Sequence, residues 1–212
     1  MAGSVEATPP ARADKPDLPR IGVLAVQGDF EAHRRALERL GAGAVEVRGP
    51  ADFDGLDGLV IPGGESTTIE EGVAAYGLEQ PIRELARSGR PVLGTCAGLI
   101  MLDRAHLGLM DIDARRNAFG RQVHSFEQDV AVRGLGDEPL RAVFIRAPWI
   151  ERAGDGVEIL AEVDGHPVVA RERNMLVAAF HPELTDDLRL HALFLALGAG
   201  QDIGAHGRSS GA

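Results

Sequence analysis

The chain has 212 residues, of which 44% are hydrophobic, and this size and apolar content suffice for one domain with a sizeable core. Its formal net charge of -10 excludes the basic surface with which proteins neutralise nucleic-acid phosphates. Since no apolar run approaches the roughly 20 residues that span a bilayer, we expect a soluble protein whose partners are small molecules or proteins, with no nucleic acid and no membrane.

Both ends of the chain have compositions that disfavour packed structure. Residues 1–20 mix Pro, Ala and charge without the apolar stretch of a secretory signal, and residues 199–212 are rich in Gly with few groups to bury. We predict a disordered lead (1–20), a single domain (21–198) and a flexible tail (199–212). The one cysteine excludes an internal disulfide, and a chain without an export signal is expected in the reducing cytoplasm.

The first half of the chain alternates continuous apolar runs with helical patterns. Such runs are typical of strands buried on both faces, and strands that alternate with helices predict a mainly parallel sheet flanked by helices on both faces. The predicted strands are residues 21–26, 44–47, 59–61 and 92–94, and the predicted helices are residues 30–40, 78–86 and one that begins at Ala97.

Past Asp111 the pattern changes to shorter β-rich runs, which indicate mixed or antiparallel additions to the sheet. The predicted strands are residues 128–132, 143–145, 157–163, 168–171 and 175–179, followed by an amphipathic helix at 188–197 that would cover the sheet. The predicted fold class is therefore α/β, with a mainly parallel central sheet and added antiparallel strands.

The single cysteine lies in a glycine-framed turn, Gly94-Thr95-Cys96-Ala97-Gly98, between an apolar run and a helix-compatible segment. A strand–turn–helix of the type G-x-nucleophile-x-G needs glycines because the backbone of the nucleophile is strained and its neighbours crowd it. At a helix N-terminus the partial positive charge favours the thiolate. A lone cysteine is more often an inert buried residue, and it is the glycine frame that indicates a nucleophile.

A base and a carboxylate follow a later apolar run, in His181-Pro182-Glu183. Pro182 favours an extended backbone before it, and side chains two apart in an extended segment point the same way. Glu183 can then orient the imidazole of His181 while the other ring nitrogen serves Cys96. An isolated His-x-Glu is more often a surface turn, so this interpretation depends on the cysteine turn.

Paired glycines occur in Ile61-Pro62-Gly63-Gly64-Glu65-Ser66-Thr67-Thr68, again after a predicted strand. Glycines let backbone amides approach a ligand, which suits an oxyanion hole. The alternative is a turn followed by a helix N-cap at Ser66 or Thr67. A phosphate-binding P-loop is disfavoured, because its glycine spacing and its lysine are absent.

These three segments together resemble the class I (triad) glutamine amidotransferases. Three further segments resemble the glutaminase subunits of pyridoxal 5'-phosphate synthases. They are GVLAVQGDFEAH from Gly22, RRNAFGRQVHSFE from Arg115 and FIRAP from Phe144, and all the matches together run from about residue 21 to 197.

The resemblance implies that Cys96 is the nucleophile, that His181 and Glu183 complete its triad, and that amides of Gly64 and Ala97 form the oxyanion hole. The residues it implies in L-glutamine binding are Gly64, Glu65, Ser66, Arg116, Ile145 and Arg146. An arginine suits the substrate's α-carboxylate because its planar fork pairs with two oxygens.

The resemblance also implies the reaction and the partner. Glutamine would be hydrolysed to glutamate and ammonia through a γ-glutamyl thioester. The ammonia would pass, within a hetero-oligomeric complex, to a synthase subunit that combines the nitrogen with a pentose phosphate and a triose phosphate. We expect no cofactor and no metal, because His106, His124, His166, His191 and His206 lack ligand spacing, although His33 could lie near the site.

The chain departs from that family in two places. The segment between Leu102 and Leu109 is several residues shorter than the corresponding loop, and Trp149 is untypical of its position and is assigned no role. Three alternatives remain open: a glutaminase that feeds another pathway, a non-catalytic regulatory subunit, and a cysteine peptidase or stress protein on the same α/β plan.

Overall fold

The computed structural model describes residues 18–119 and 125–199, which contain five α-helices and eleven strands. The strands are β1 (Arg20–Leu24), β2 (Gly43–Val47), β3 (Gly58–Ile61), β4 (Val92–Thr95), β5 (Ile112–Arg115), β6 (Ser125–Val130), β7 (Leu140–Ile145), β8 (Trp149–Ala153), β9 (Glu158–Val163), β10 (His166–Glu172) and β11 (Met175–Ala178). The helices are α1 (Phe30–Arg39), α2 (Ser66–Ala75), α3 (Glu79–Arg87), α4 (Ala97–Leu102) and α5 (Arg189–Gly198), with 3-10 turns at Pro50–Phe53 and Pro182–Leu184.

Seven of these strands form one sheet in the spatial order β2-β1-β3-β4-β11-β10-β9. The first five are parallel, and β10 and β9 continue the sheet as antiparallel strands. Two antiparallel pairs, β5 with β8 and β6 with β7, lie outside this sheet. The predicted parallel sheet with antiparallel additions is therefore the observed architecture.

The centre of the sheet has the burial that its sequence predicts. Every residue of β3, β4 and β11 is buried, as expected for the continuous apolar runs of parallel strands covered on both faces. Leu190, Leu193 and Phe194 of α5 are buried as well, so the last helix covers the sheet as predicted. None of the helices in the described ranges is long and apolar enough to cross a membrane.

Three elements were missing from the predicted set: α2, β5 and β8. Helix α2 contains two β-branched threonines and Gly72, which weaken the helical signal, and its stability depends on packing. Strand β5 is four residues long and pairs with β8 across a long sequence separation. The predicted lead and tail (1–20 and 199–212) fall almost wholly outside the described residues, so the predicted domain limits stay a prediction.

Helix α4 crosses β3 at a contact between two backbones. A Cβ atom added to Gly98 would lie 2.0 Å from the carbonyl oxygen of Ile61, and one added to Gly94 would lie 2.5 Å from the carbonyl oxygen of Gly98. Real Cβ atoms do not approach backbone atoms this closely. The glycine frame around Cys96 therefore lets α4 start directly above the end of β3.

We expect Gly98→Ala to lower the free energy of unfolding by about 1–3 kcal/mol, because the added methyl group overpacks a backbone contact. In an ordinary helix the same change stabilises by roughly 0.5–1 kcal/mol, so the sign is diagnostic. Gly43→Ala is the control, since the nearest atom to its new Cβ would be 3.8 Å away. Urea unfolding of both variants measures the difference, and equal stability of the two would contradict the close contact.

Candidate active site

The predicted site segments meet at one edge of the sheet. Strands β3, β4 and β11 are parallel neighbours, so their carboxyl ends lie side by side. The glycine pair follows β3, Cys96 follows β4 and His181 follows β11. Ligands of open α/β sheets bind at this edge, where three separate chain segments converge.

Cys96 has the strained backbone expected of a nucleophile turn. Its φ of 48° and ψ of -106° lie in a region that residues other than glycine rarely adopt. The conformation is held by a 2.8 Å hydrogen bond from the Cys96 amide to the carbonyl of Ala178, at the end of β11. The side chain is 6% exposed, and Sγ lies 3.8 Å from the carbonyl oxygen of Ile145.

His181 and Glu183 are joined by a hydrogen bond, as predicted, although the backbone between them differs from the prediction. The Nδ1 atom of His181 lies 2.7 Å from Oε1 of Glu183. The expected extended segment is instead a 3-10 turn that begins at Pro182, where the fixed φ of proline suits the first helical position. The amide of His181 donates to the carbonyl of Val143, which ties the turn to β7.

The ring of His181 and the side chain of Cys96 converge above Gly63. A Cβ atom at Gly63 would lie 2.4 Å from Cε1 of His181 and 3.1 Å from Cβ of Cys96. Burial lowers the pKa of His181, but hydrogen bonds to Cys96 and Glu183 outweigh this and raise it to about 10. His181 is thus protonated at neutral pH. Its Nδ1 faces Glu183, and its Nε2 is available to the thiol of Cys96.

The carboxylate of Glu183 lies in a polar cluster whose extent the sequence did not predict. Burial by itself raises the pKa of Glu183, yet the imidazoles of His33 and His181 together bring it well below its ordinary value. His33 Nε2 lies 3.2 Å from Oε2 of Glu183, and His33 Nδ1 lies 2.9 Å from Nε2 of His191. Burial lowers the pKa of His191 to about 3, so this imidazole is neutral.

His191, to which no role was assigned from the sequence, lies within this cluster. The signal that could have found it is a histidine on the apolar face of a helix, between the buried residues Leu190 and Leu193. His124 and His206 lie outside the described residues.

The segment from the end of β3 into α2, residues 62–66, is the glycine loop, and it is held by Gln27, a residue not identified from the sequence. Oε1 of Gln27 accepts a 2.8 Å hydrogen bond from the amide of Glu65 and lies against Gly64, whose φ is 155°. Gly28 faces the carbonyl of Gly63 so closely that a Cβ atom there would be 1.8 Å from that oxygen. The segment after β1 therefore sets the shape of the loop after β3.

The residue that caps the N-terminus of α2 differs from the two that the sequence predicted. The N-cap is Glu65 rather than Ser66 or Thr67, and its carboxylate accepts hydrogen bonds from the amides of Thr67 and Thr68. These bonds, led by that from Thr68, lower the pKa of Glu65. Ser66 is buried beside it.

The short segment after α4 positions Arg116. Oδ1 of Asp103 lies 2.7 Å from Nδ1 of His106 and also accepts hydrogen bonds from two amides of its own turn. Nε2 of His106 in turn lies 3.1 Å from Nη2 of Arg116. The other terminal nitrogen of Arg116, Nη1, donates to Oγ1 of Thr67. Arg116 is thereby brought next to the glycine loop.

The other predicted residues occupy different surroundings. Ile145 presents its carbonyl to Cys96, whereas Arg146 is exposed and has a φ of 45°. Trp149 stacks on His166 at a centroid distance of 3.5 Å and donates to Glu151, so its role in the structure is to pack β8 against β10.

A group of side chains with metal-ligand chemistry lies among the described residues, comprising Asp29, His181 and Glu183, with atoms within 4.8 Å of one another. Two of these three are joined by the hydrogen bond already described, which accounts for their closeness without an ion. The expectation of no metal stays a prediction.

Comparison with known proteins gives close relatives over the whole described domain. A model of the SNO glutamine amidotransferase family matches residues 23–197. The pyridoxal 5'-phosphate synthase subunit PdxT of Carboxydothermus hydrogenoformans is 51% identical over 183 residues, which cover 83% of this chain and 96% of that protein. PdxT of Parafrankia sp. is 50% identical over 188 residues, which cover 84% and 93%.

Solved structures agree with these matches. A glutamine amidotransferase crystal structure has a TM-score of 0.80 at 47% identity and covers 84% of this chain and 98% of that one. The PurLQS structure from Thermotoga maritima has a TM-score of 0.67 at 17% identity over 84% of this chain and 98% of that one, which supports the fold alone. The predicted family and fold class are confirmed.

We expect acid to destabilise the protein through His191. Its pKa is ordinarily 6.5 and is about 3 in the fold, so between these values the unfolded chain binds a proton that the folded chain does not. Stability therefore falls as the pH drops below 6.5, by about 1.4 kcal/mol per unit for one proton. Glu183 adds its own loss below its ordinary pKa of 4.5, and His181 loses its contribution as the pH rises towards 10.

Of these three groups, His191 alone is expected to change the free energy of unfolding between pH 6.5 and 5. We expect His191→Gln to flatten the pH dependence of the unfolding free energy there, as measured by urea unfolding at several pH values. His166→Gln, which removes a histidine outside the buried cluster, should retain the wild-type slope. If His191→Gln also retained it, His191 would be protonated in the folded protein.

Proposed function

Since the chain belongs to the SNO glutamine amidotransferase family, we propose that it hydrolyses L-glutamine and delivers the ammonia to a pyridoxal 5'-phosphate synthase. The observation that carries this proposal is the convergence of Cys96, His181 and Glu183 at the carboxyl edge of the sheet. The PdxT relatives, about half identical over nearly their whole length, favour this pathway over another amide-forming one.

The first step uses the ion pair of Cys96 and His181. The thiolate attacks the side-chain carbonyl carbon of glutamine, and the negative charge moves to the amide oxygen. Ala97 is the first residue of α4, where an amide has no partner within the helix, and we assign its N–H and that of Gly64 to the oxyanion. The C–N bond then breaks, and the nitrogen leaves as ammonia with the proton of His181.

The second step regenerates the thiolate. Neutral His181 takes a proton from water, the water oxygen attacks the γ-glutamyl thioester, and the C–S bond breaks to release glutamate. Glu183 acts throughout on the other nitrogen of the ring. Its hydrogen bond at Nδ1 fixes the orientation of the imidazole and stabilises its charged form.

We assign glutamine recognition to residues that surround Cys96 at the carboxyl edge of the sheet. Arg116 lies beside the glycine loop, and its guanidinium fork suits the α-carboxylate of the substrate. The predicted contacts of Gly64, Glu65 and Ser66 would come from the same loop. Ile145 and Arg146 would close the opposite side, next to Cys96.

The fate of the ammonia supports a protein partner. In neutral water ammonia is mostly protonated and unreactive, so direct transfer inside a hetero-oligomer with the synthase subunit preserves the nucleophile. The thiolate also requires protection from oxidation, which favours the reducing cytoplasm as the compartment.

The sharpest test is Cys96→Ala in complex with a synthase subunit. Wild type should support pyridoxal 5'-phosphate formation from either glutamine or ammonium salts, given a pentose phosphate and a triose phosphate. The variant should lose the glutamine-dependent reaction and keep the ammonium-dependent one, because the nucleophile is gone while the fold and docking remain. The measurement is product absorbance together with glutamate release.

Three other outcomes would each contradict a different part of the proposal. Glutamate release by the variant would overturn Cys96 as the nucleophile. A wild type that binds the synthase but releases no glutamate would instead indicate a non-catalytic subunit, and cleavage of generic peptides would indicate a peptidase.

For Arg116→Ala we expect KM for glutamine to rise about ten- to a hundredfold while kcat changes little, because a charged hydrogen-bonding contact to the ground state is lost. Arg115→Ala is the matched control, since this neighbouring exposed arginine faces Trp149 and Glu151 instead. Steady-state kinetics of both variants decide the assignment. A fall in kcat at constant KM would show that Arg116 does not bind the substrate's carboxylate.

A further inference from the structure

A buried histidine pair extends from the catalytic carboxylate into the core. His33 of α1 and His191 of α5 are both 0% exposed, and so is Thr95, which precedes the nucleophile. His33 Nε2 lies 3.1 Å from Oγ1 of Thr95 and 3.2 Å from Oε2 of Glu183. Two helices and the end of β4 thus contribute three buried polar side chains beside Glu183, and the proposed reaction gives none of the three a role.

The positions of the protons follow from an orphaned nitrogen. Nδ1 of His191 is buried and has no hydrogen-bond partner within the described residues. An unpaired N–H is costly in the interior, so His191 carries its proton on Nε2 and donates it to Nδ1 of His33. His33 then holds its own proton on Nε2, on the side of Glu183 and Thr95.

That N–H meets an unsatisfied acceptor. Oε1 of Glu183 is engaged by His181, whereas Oε2 is buried and lacks a well-aligned hydrogen bond among the described residues. A buried carboxylate oxygen without a donor is destabilising. The His33 N–H is better aligned with Thr95 but lies close enough to be shared between both oxygens.

We propose that His33, held by His191, is a positioning residue that fixes the second oxygen of Glu183 and so the orientation of His181. The proposal rests on the proposed glutaminase function and adds two imidazoles behind the triad. The titratable groups that face Glu183 are His181, His33 and, near the start of α1, Asp29, whose carboxylate is within 4.8 Å of the pair. Since Asp29 is exposed and repels Glu183, His33 is the neighbour that can stabilise the free oxygen.

The alternative is that His33 only fills space between α1 and the rest of the core. Two substitutions distinguish these roles by where they place a side-chain amide nitrogen. In His33→Gln this nitrogen replaces Nε2 and keeps a donor for Glu183. In His33→Asn the shorter side chain brings its amide only to the position of Nδ1, where the amide oxygen can accept from Nε2 of His191, so no donor remains for Glu183. A space-filling role predicts that the two variants behave alike.

The first measurement is steady-state glutaminase kinetics with the synthase subunit present. We expect His33→Asn to lower kcat about tenfold to a hundredfold with little change in KM, since a misoriented base acts in the transition state. We expect His33→Gln to stay within roughly threefold of wild type. Arg35→Gln, on the exposed side of α1, is the control that should change neither constant. Equal kcat for the Asn and Gln variants would overturn the proposal.

The second measurement needs no substrate, so it decides the proposal even if glutamine hydrolysis fails. Cys96 is the single cysteine, and the pH profile of its alkylation by iodoacetamide reports its thiolate directly. We expect the midpoint to move to higher pH in His33→Asn, because a weakened Glu183 supports the imidazolium of His181 less well, and to stay near wild type in His33→Gln. Unchanged midpoints in both variants would overturn the proposal. Thermal unfolding confirms that each variant is folded.

Discussion

The site depends on backbone contacts that exclude side chains. Helix α4 begins above β3 because Gly98 rests on the carbonyl of Ile61, and the ring of His181 occupies the space that a Cβ atom at Gly63 would need. The ends of β3, β4 and β11 are neighbours in the sheet, and these contacts let α4 and the ring of His181 pack closely against the segment at the end of β3. Packed interiors resist deformation, so the relative positions of Cys96, His181 and Glu183 are fixed by close packing at the edge of the sheet.

The second constraint is electrostatic. A carboxylate whose side chain is fully buried stays ionised because histidines surround it, and its charge in turn holds His181 in the protonated form. A buried charge of this kind costs free energy unless it is hydrogen-bonded at every oxygen. The interior histidines His33 and His191 therefore belong to the same electrostatic unit as Glu183 and His181, although they come from helices at opposite ends of the chain.

The segment after α4 shows how local hydrogen bonds position an exposed arginine. Asp103 binds the backbone and the ring of His106, and this compact turn lets His106 reach Arg116. Arg116 is thus fixed by hydrogen bonds made within a short stretch of chain. Trp149 has a packing role, since its ring stacks on that of His166 in β10.

Much of this was determined by the sequence alone. Continuous apolar runs located the parallel strands, and the glycine frame of Cys96 with the His-x-Glu pair located the side chains that converge at the edge of the sheet, because strand period and turn chemistry are local properties. Local patterns could not find β5 and β8, whose hydrogen bonds come from distant partners. Nor could they find Gln27, the Glu65 cap or the His33–His191 pair. A buried histidine on an apolar helix face is ambiguous until the tertiary structure decides which polar group it meets.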